Sequence, residues 1–251
     1  MRRLLATSAA VFVIGGCGDD SSSDKETSKS NPARTETTAT IRGCAPRCLP
    51  PDYTEPGKVP RGTYKTEYFF AGQMTVVFDK GWEVGEDSTG EFASAENKTP
   101  DLRVIFWEDV FPTRHKQGLA RVEGVPGTAD GVVGWLRANP NLSVTTPSKG
   151  TIGSDLPATV VDVSVAGKAD NDDPGCPAKP CANFLGFPQW DETYGIAGGG
   201  VTRFYLSDVK YGRKTHLFVA AVEGVDKAQL DVGLPAAERV IKSAKVPAGP
   251  A

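Results

Sequence analysis

Apolar and polar residues alternate in several short stretches of the chain, and this pattern predicts β-strands. In the clearest case, "ATVVDVSVA", the three valines Val161, Val163 and Val165 fall on one face and Asp162 and Ser164 on the other. Compact apolar runs predict further strands. These runs are "MTVVF" (74–78), "RVIFW" (103–107), "TRFYLSDV" (202–209) and "KTHLFVAAV" (214–222), the last two joined by a tight turn at Tyr211-Gly212.

Two segments repeat apolar residues at helical spacing instead. In "TADGVVGWLRANP" (128–140), Thr128 is the predicted N-cap, and Pro140 ends the helix because the residue before a proline is pushed out of the helical region. In "LPAAERVIKSAKV" (234–246), Pro235 suits the first helical turn, and four residues follow at helical spacing: Ala237, Val240, Ile241 and Ala244. Strands with two covering helices predict an α+β fold, with a mostly antiparallel sheet and helices packed on it.

The N-terminal part of the chain has a different pattern. Arg2 and Arg3 precede an apolar run from Leu4 to Ile14, which is too short to span a bilayer and is typical of an export signal. From Gly18 onward there is almost no apolar periodicity, and Ser, Thr, Pro and charged residues dominate. Such a segment does not bury enough surface to fold. The predicted domains are a signal peptide at 1–16, a disordered tether at 17–58 and one globular domain at 59–247.

The apolar run ends in "IGGC" (14–17), which resembles the lipobox of bacterial lipoproteins: an aliphatic residue, two small residues and the cysteine that is acylated. This resemblance implies that a lipid-modified Cys17 is the mature N-terminus and that the protein is anchored to a membrane of the bacterial cell envelope, outside the cytoplasm. Two or more acyl chains make a stable anchor, since each buried methylene contributes about 0.8 kcal/mol. The alternative is an ordinary secretory signal with an incidental cysteine.

Four cysteines remain once Cys17 is acylated: Cys44, Cys48, Cys176 and Cys181. An extracytoplasmic compartment permits disulfides. The short spacings in "CAPRC" and "CPAKPC" favour two local bridges, while cross-pairing between the two segments stays open. Zinc binding is less favoured, because neither histidine of the chain neighbours these cysteines.

Composition and motifs argue against several classes of function. The chain carries 28 Lys and Arg against 31 Asp and Glu, for a net charge of −3, so no nucleic-acid partner is predicted. The motifs G-x-S-x-G, H-E-x-x-H and the phosphate-binding loop are absent from the sequence, so we assign no catalytic residue, cofactor or metal site. His216 lies in a predicted strand and is interpreted as structural, and Glu108-Asp109 is an adjacent pair with no partner in the sequence.

A long connection is the most informative irregularity. About 35 residues separate the strand ending near Ala166 from the one beginning near Thr202, against a usual connection of about 4–6. Within it "GIAGGG" (195–200) is predicted to be a flexible loop. Exposed aromatic residues there would form a binding face for an envelope protein or an apolar ligand; alternatively, they pin the loop onto the core. The residues are Phe184, Phe187, Trp190 and Tyr194.

The order of elements is similar to that of the PsbP-like α/β/α sandwich. The similarity lies in the Gly-Trp after the first hairpin (81–82) and in the closing helix that runs into "SAKV" (243–246), and it would cover about 64–246. Proteins of that family are mostly non-catalytic accessory or binding subunits, so the resemblance implies a binding module rather than an enzyme. The alternative is an extracytoplasmic hydrolase whose carboxylates converge only in the fold.

Overall fold

The computed structural model describes residues 47–48, 57–58, 61–66, 69, 74–84, 87–88, 91–98, 101–114, 120–167, 180–188, 193–211 and 213–246. These residues belong to one compact unit, Thr40–Ala251. The search for a helix both long and apolar enough to cross a bilayer found none in the described ranges. Several predicted features lie outside those ranges and stay predictions: the signal peptide, Cys17, Cys44, Cys176 and Trp190.

Sixteen strands and two helices are described along the chain. The strands are β1 (Arg47–Cys48), β2 (Gly57–Lys58), β3 (Gly62–Lys65), β4 (Thr75–Phe78), β5 (Trp82–Val84), β6 (Asp87–Ser88), β7 (Glu91–Lys98), β8 (Asp101–Glu108), β9 (Phe111–Pro112), β10 (Leu142–Val144), β11 (Ser148–Ile152), β12 (Leu156–Val165), β13 (Cys181–Gly186), β14 (Thr193–Ala197), β15 (Val201–Tyr211) and β16 (Lys214–Gly224). The helices are α1 (Ala129–Ala138) and α2 (Lys227–Ser243).

A ten-stranded sheet forms the centre of the fold, in the order β10-β12-β15-β16-β8-β7-β5-β2, with β11 paired to β12 and β6 to β7. Its pairings are antiparallel. Alternate residues of the central strands point to opposite faces, and each face is covered by a separate apolar cluster. One cluster contains α2 and the other contains α1. The predicted α+β class, a mostly antiparallel sheet with helices packed on it, is confirmed.

The two helices differ in how well their starts were predicted. Helix α1 begins as expected, because Thr128 accepts a hydrogen bond from the Gly131 backbone N–H at 3.2 Å. The predicted start of α2 at Pro235 is wrong, since the helix begins two turns earlier, where Asp226 caps it by accepting from the Gln229 backbone N–H at 2.7 Å. Pro235 is tolerated inside the helix because buried residues of α2 lie on both sides of it, from Leu230 to Ile241, and pack on the sheet.

The long connection before β15 contains two strands and is not a structureless loop. Strands β13 and β14 form a hairpin, and β9 pairs with the other edge of β13. The prediction of a flexible loop at "GIAGGG" is wrong for its first half, since Gly195 to Ala197 belong to β14. Only glycine fits at position 195, because a Cβ there would clash with Asn183 on the neighbouring strand.

Two short strands also lie inside the predicted tether. Strand β1 pairs in parallel with β3, and β2 pairs with β5 at the edge of the main sheet. The C-terminal part of the 17–58 segment therefore contributes two short strands to the unit Thr40–Ala251.

Candidate functional site

A cleft of ≈ 580 Å³ opens among the described residues and is lined by both polar and apolar side chains. It opens at the end of the main sheet where β8 and β15 begin and β16 ends. The hairpin β13–β14 forms its other wall. We call this feature the cleft; its polar side chains are Arg103, Asn183, Thr193, Tyr194, Thr202 and Glu223, and its apolar ones include Leu102, Ile196, Val201 and Val225.

Strand register assembles the polar floor of the cleft. Glu223 on β16 is the cross-strand partner of Arg103 on β8 and of Thr202 on β15. Cross-strand partners hold their Cβ atoms about 4.5–5.5 Å apart on one face of the sheet, so the three side chains form a row. Arg103 Nη1 lies 3.1 Å from Glu223 Oε2.

Tyr194 closes this row from above. Strand β14 places its hydroxyl 2.7 Å from Thr202 Oγ1, and the Glu223 carboxylate also acts on the phenol. Burial, and next the negative charge of Glu223, raise the pKa of Tyr194 well above its ordinary value. The phenol is therefore neutral across the physiological range and remains a hydrogen-bond donor.

The row runs from the protein interior towards solvent. Thr202 is 2% exposed, whereas the side chains of Glu223 and Arg103 are 18% and 43% exposed. The guanidinium has five N–H donors, and part of it faces the opening. The cleft thus presents an arginine, a glutamate, an asparagine and three hydroxyl side chains, which are groups that can hold a ligand by hydrogen bonds.

A second constellation lies at the opposite end of the same strands. Glu108 and Asp109 stand at the end of β8, and His216 stands near the start of β16. The ring nitrogen Nδ1 of His216 lies 3.0 Å from Glu108 Oε1 and 2.8 Å from Asp109 Oδ2. We call these three residues the carboxylate–histidine cluster.

The backbone holds this cluster in place. Asp109 has a left-handed φ of 55°, which Asp tolerates better than most residues. Its N–H donates to the Leu217 carbonyl at 2.8 Å, and its Oδ1 accepts from the Leu217 N–H at 3.0 Å. Burial, and next the adjacent charge of Asp109, raise the pKa of Glu108 above its ordinary value, while His216 acts in the opposite direction.

Another cleft, of ≈ 470 Å³, has charged groups that satisfy one another. Arg203 donates two hydrogen bonds to Asp162, at 2.6 and 2.9 Å. Glu238 accepts from the Tyr205 hydroxyl at 3.0 Å and from Lys242 Nζ at 2.9 Å. Because Arg203, Glu238 and Lys242 are already paired, this cleft is a weaker candidate for a ligand site.

Two of the four aromatic residues predicted to form a binding face, Phe184 and Phe187, lie in the core. Phe184 is 0% and Phe187 is 7% exposed. The Phe187 ring lies 5.6 Å from that of Trp107, and the Phe184 ring 5.5 Å from that of Tyr194. Of the two interpretations offered by the sequence, packing onto the core describes Phe184 and Phe187. Tyr194 alone of the described aromatics in this group lines the cleft.

Sequence reasoning missed the polar row and the cluster. Arg103, Thr202 and Glu223 were not singled out, although each is a polar residue two positions from a buried apolar residue of the same strand. Glu108 and Asp109 were noted without a partner, and His216 was interpreted as structural; the fold brings all three together. Neither comparison, with models of known protein families or with curated proteins, finds a match to this chain.

Among the predicted disulfide residues, only the Cys181 side chain is described. It is 1% exposed at the start of β13. Cys48 lies in β1, and its side chain is outside the described set, as are Cys44 and Cys176. The pairing of the four cysteines stays a prediction.

Proposed function

We propose that this protein is a membrane-anchored lipoprotein of the bacterial cell envelope whose folded unit is a non-catalytic binding or accessory module, with the cleft as its ligand site. The polar row at the floor of the cleft carries the proposal. Together with Tyr194 it sets an arginine, a carboxylate and two hydroxyls beside the apolar residues of the cleft. Ligand sites typically combine an apolar lining with a few fixed polar groups.

The chemistry of the cleft favours a small ligand that carries an anionic group beside an apolar portion. The Arg103 guanidinium contacts Glu223, and the rest of it faces the opening of the cleft. A planar fork of N–H donors recognises carboxylates well. Leu102, Ile196 and Val225 offer apolar contacts around it. We therefore place the ligand's carboxylate at Arg103.

The anchor and the fold family rest on separate support. The anchor rests on "IGGC" and on the short apolar run before it. A PsbP-like sandwich is supported by an antiparallel sheet with a helix on each face, by buried Trp82 at the start of β5 and by a long closing helix.

A thermal-shift screen tests the binding proposal. A panel of small carboxylates, from amino acids to dicarboxylates and short peptides, is added to the wild type, to Arg103→Lys and to the control Arg137→Lys, which changes an exposed arginine in the last turn of α1. Lysine keeps the charge but loses the fork, so a carboxylate that stabilises the wild type and the control should stabilise Arg103→Lys much less. Equal stabilisation of all three proteins would contradict the assignment.

The anchor has its own test. Replacing Cys17 by Ala should move the protein from the membrane fraction to the soluble extracytoplasmic fraction, and the intact mass of the wild type should exceed that of its amino acids by the attached acyl groups. Membrane retention of the variant would refute the anchor without affecting the cleft.

A second candidate function is an extracytoplasmic hydrolase. The carboxylate–histidine cluster favours it, because a carboxyl of raised pKa beside an imidazole is suited to general acid–base work. Hydrolysis of ester or amide substrates by the wild type, and its loss in His216→Gln, would support this candidate over a purely binding role.

A further inference from the structure

The geometry of the carboxylate–histidine cluster is unusual in one respect: two carboxylates approach the same ring nitrogen. Glu108 Oε1 and Asp109 Oδ2 lie 3.0 and 2.8 Å from His216 Nδ1. That nitrogen carries at most one proton, and a single N–H points well at only one oxygen. A cation placed among the three atoms would face all of them at once.

The spacing of the three atoms suits a metal ion. Metal–nitrogen and metal–oxygen bonds of about 2.1 Å separate neighbouring ligand atoms by about 3.0 Å at right angles and by about 3.4 Å in a tetrahedral arrangement. The two measured separations are 2.8 and 3.0 Å, and all three ligand atoms lie within 4.8 Å of one another. The side chains therefore need little movement to occupy one face of a coordination sphere.

Charge favours a cation in the same place. The charged neighbours that act on Glu108 are Asp109 and His216. A part-buried pair of carboxylates against one imidazole leaves net negative charge in a setting where water screens it incompletely. A divalent ion would neutralise both carboxylates.

The surroundings also hold the ligands as metal sites commonly do. Asp109 Oδ1 is fixed by the Leu217 N–H at 3.0 Å, which leaves Oδ2 directed at the cluster. The backbone bond from Asp109 N to Leu217 O, 2.8 Å long, ties the end of β8 to β16. Hydrogen bonds of this kind orient metal ligands and raise affinity.

We propose that Glu108, Asp109 and His216 bind one divalent transition-metal ion through Oε1, Oδ2 and Nδ1. A nitrogen ligand with two carboxylates suits Zn²⁺ or Mn²⁺ better than Ca²⁺ or Mg²⁺, which prefer oxygen ligands throughout. Three protein ligands on a part-buried site leave positions for water. The site is independent of the cleft, because Arg103 and Glu223 lie on the opposite face at the other end of β8 and β16.

The proposal is tested by measuring Zn²⁺ binding to the full chain. The protein is purified in detergent, without a polyhistidine tag and with its cysteines left oxidised. Affinity is measured by competition with a chromophoric chelator after removal of all metal. The variants are Glu108→Gln, Asp109→Asn and His216→Gln. The matched control is Asp155→Asn, an exposed carboxylate in the turn between β11 and β12. Far-UV circular dichroism checks that each variant folds.

We expect the wild type and Asp155→Asn to bind one Zn²⁺ per chain with equal affinity, and each cluster variant to bind at least about 10-fold more weakly. A second measurement needs no variant. In ¹⁵N spectra of the wild type, Zn²⁺ should shift the His216 Nδ1 resonance, and Mg²⁺ at the same concentration should not. Undiminished binding by folded His216→Gln, no Zn²⁺ binding by the wild type below about 1 mM, or an unmoved Nδ1 resonance would each overturn the proposal.

Discussion

Removing the Tyr194 hydroxyl with Tyr194→Phe tests whether the floor of the cleft is held by a hydrogen-bond chain. The hydroxyl lies 2.7 Å from Thr202 Oγ1, and the Glu223 carboxylate acts on the same phenol. The simplest assignment has Thr202 donating to the phenol and the phenol donating to the carboxylate. In the variant, the Thr202 hydroxyl is left in a setting that is 2% exposed, where water does not replace the lost partner.

The expected magnitudes follow from what each change leaves unpaired. A buried polar group without a partner costs about 1–3 kcal/mol, so Tyr194→Phe should lower the free energy of unfolding by about 2 kcal/mol. Thr202→Val removes a hydroxyl but leaves the phenol bonded to Glu223, and should cost about 1 kcal/mol. In the double variant the unpaired Thr202 hydroxyl is gone. Its cost should therefore be about 2 kcal/mol rather than the sum of about 3.

Urea denaturation of the four proteins measures this coupling. The m values should agree, since the surface exposed on unfolding hardly changes. A difference of about 1 kcal/mol between the double variant and the sum of the single ones is expected. Additivity within about 0.3 kcal/mol would show that the two hydroxyls act independently. It would contradict the hydrogen-bond chain at the floor of the cleft.

Three further changes test other parts of the structure. Phe184→Ala should lower the free energy of unfolding by about 3–5 kcal/mol because it empties a core position. A loss below about 0.5 kcal/mol in urea denaturation would contradict this burial and favour the interpretation that the aromatic residues form an exposed binding face. Gly153→Ala should cost more than about 2 kcal/mol, since φ is 63° and a Cβ there would clash with a backbone carbonyl, whereas Gly127→Ala, with no atom within 4 Å of its Cβ, should change little. Glu238→Gln should cost about 1 kcal/mol at pH 7. Burial raises the pKa of Glu238, but hydrogen bonds from Lys242 and Tyr205 outweigh it and lower the pKa overall. The contribution is therefore present above the ordinary pKa and is lost as pH falls through the lowered pKa, so the difference between the thermal melts of wild type and variant should shrink with increasing acidity.

The elements that sequence predicted best are those whose signal is local. Helix α1 has its N-cap, its apolar face and its terminating proline within 13 residues, at 128–140. Strands β12, β15 and β16 have clear apolar patterns. In α2 a proline at a plausible first turn competed with the true cap at Asp226, and the buried stripe through Leu230 and Gly233 was overlooked because polar residues surround it.

The hairpin β13–β14 was missed for a different reason. Strand β13 is buried at five of its six positions, so its residues do not alternate between apolar and polar, and glycines dilute the apolar signal of β14. The hairpin is specified by what it packs on. Phe184 meets Phe204 at 6.2 Å and Tyr194 meets Trp107 at 4.8 Å, and these contacts join segments that lie far apart in the chain.

The polar row shows where local pattern stops being informative. Arg103, Thr202 and Glu223 each share strand parity with buried apolar residues, so each is visible in the sequence as a polar side chain on an inward face. Two stand at the start of their strands and one at the end of its strand. Only the antiparallel register of β8, β16 and β15 brings those three ends to one edge. Inward polar residues cost stability unless they are paired. The strand register brings Arg103, Thr202 and Glu223 together, so their polar groups are paired while part of the row still faces solvent. A ligand site, as proposed above, is the simplest explanation for polar residues at these positions.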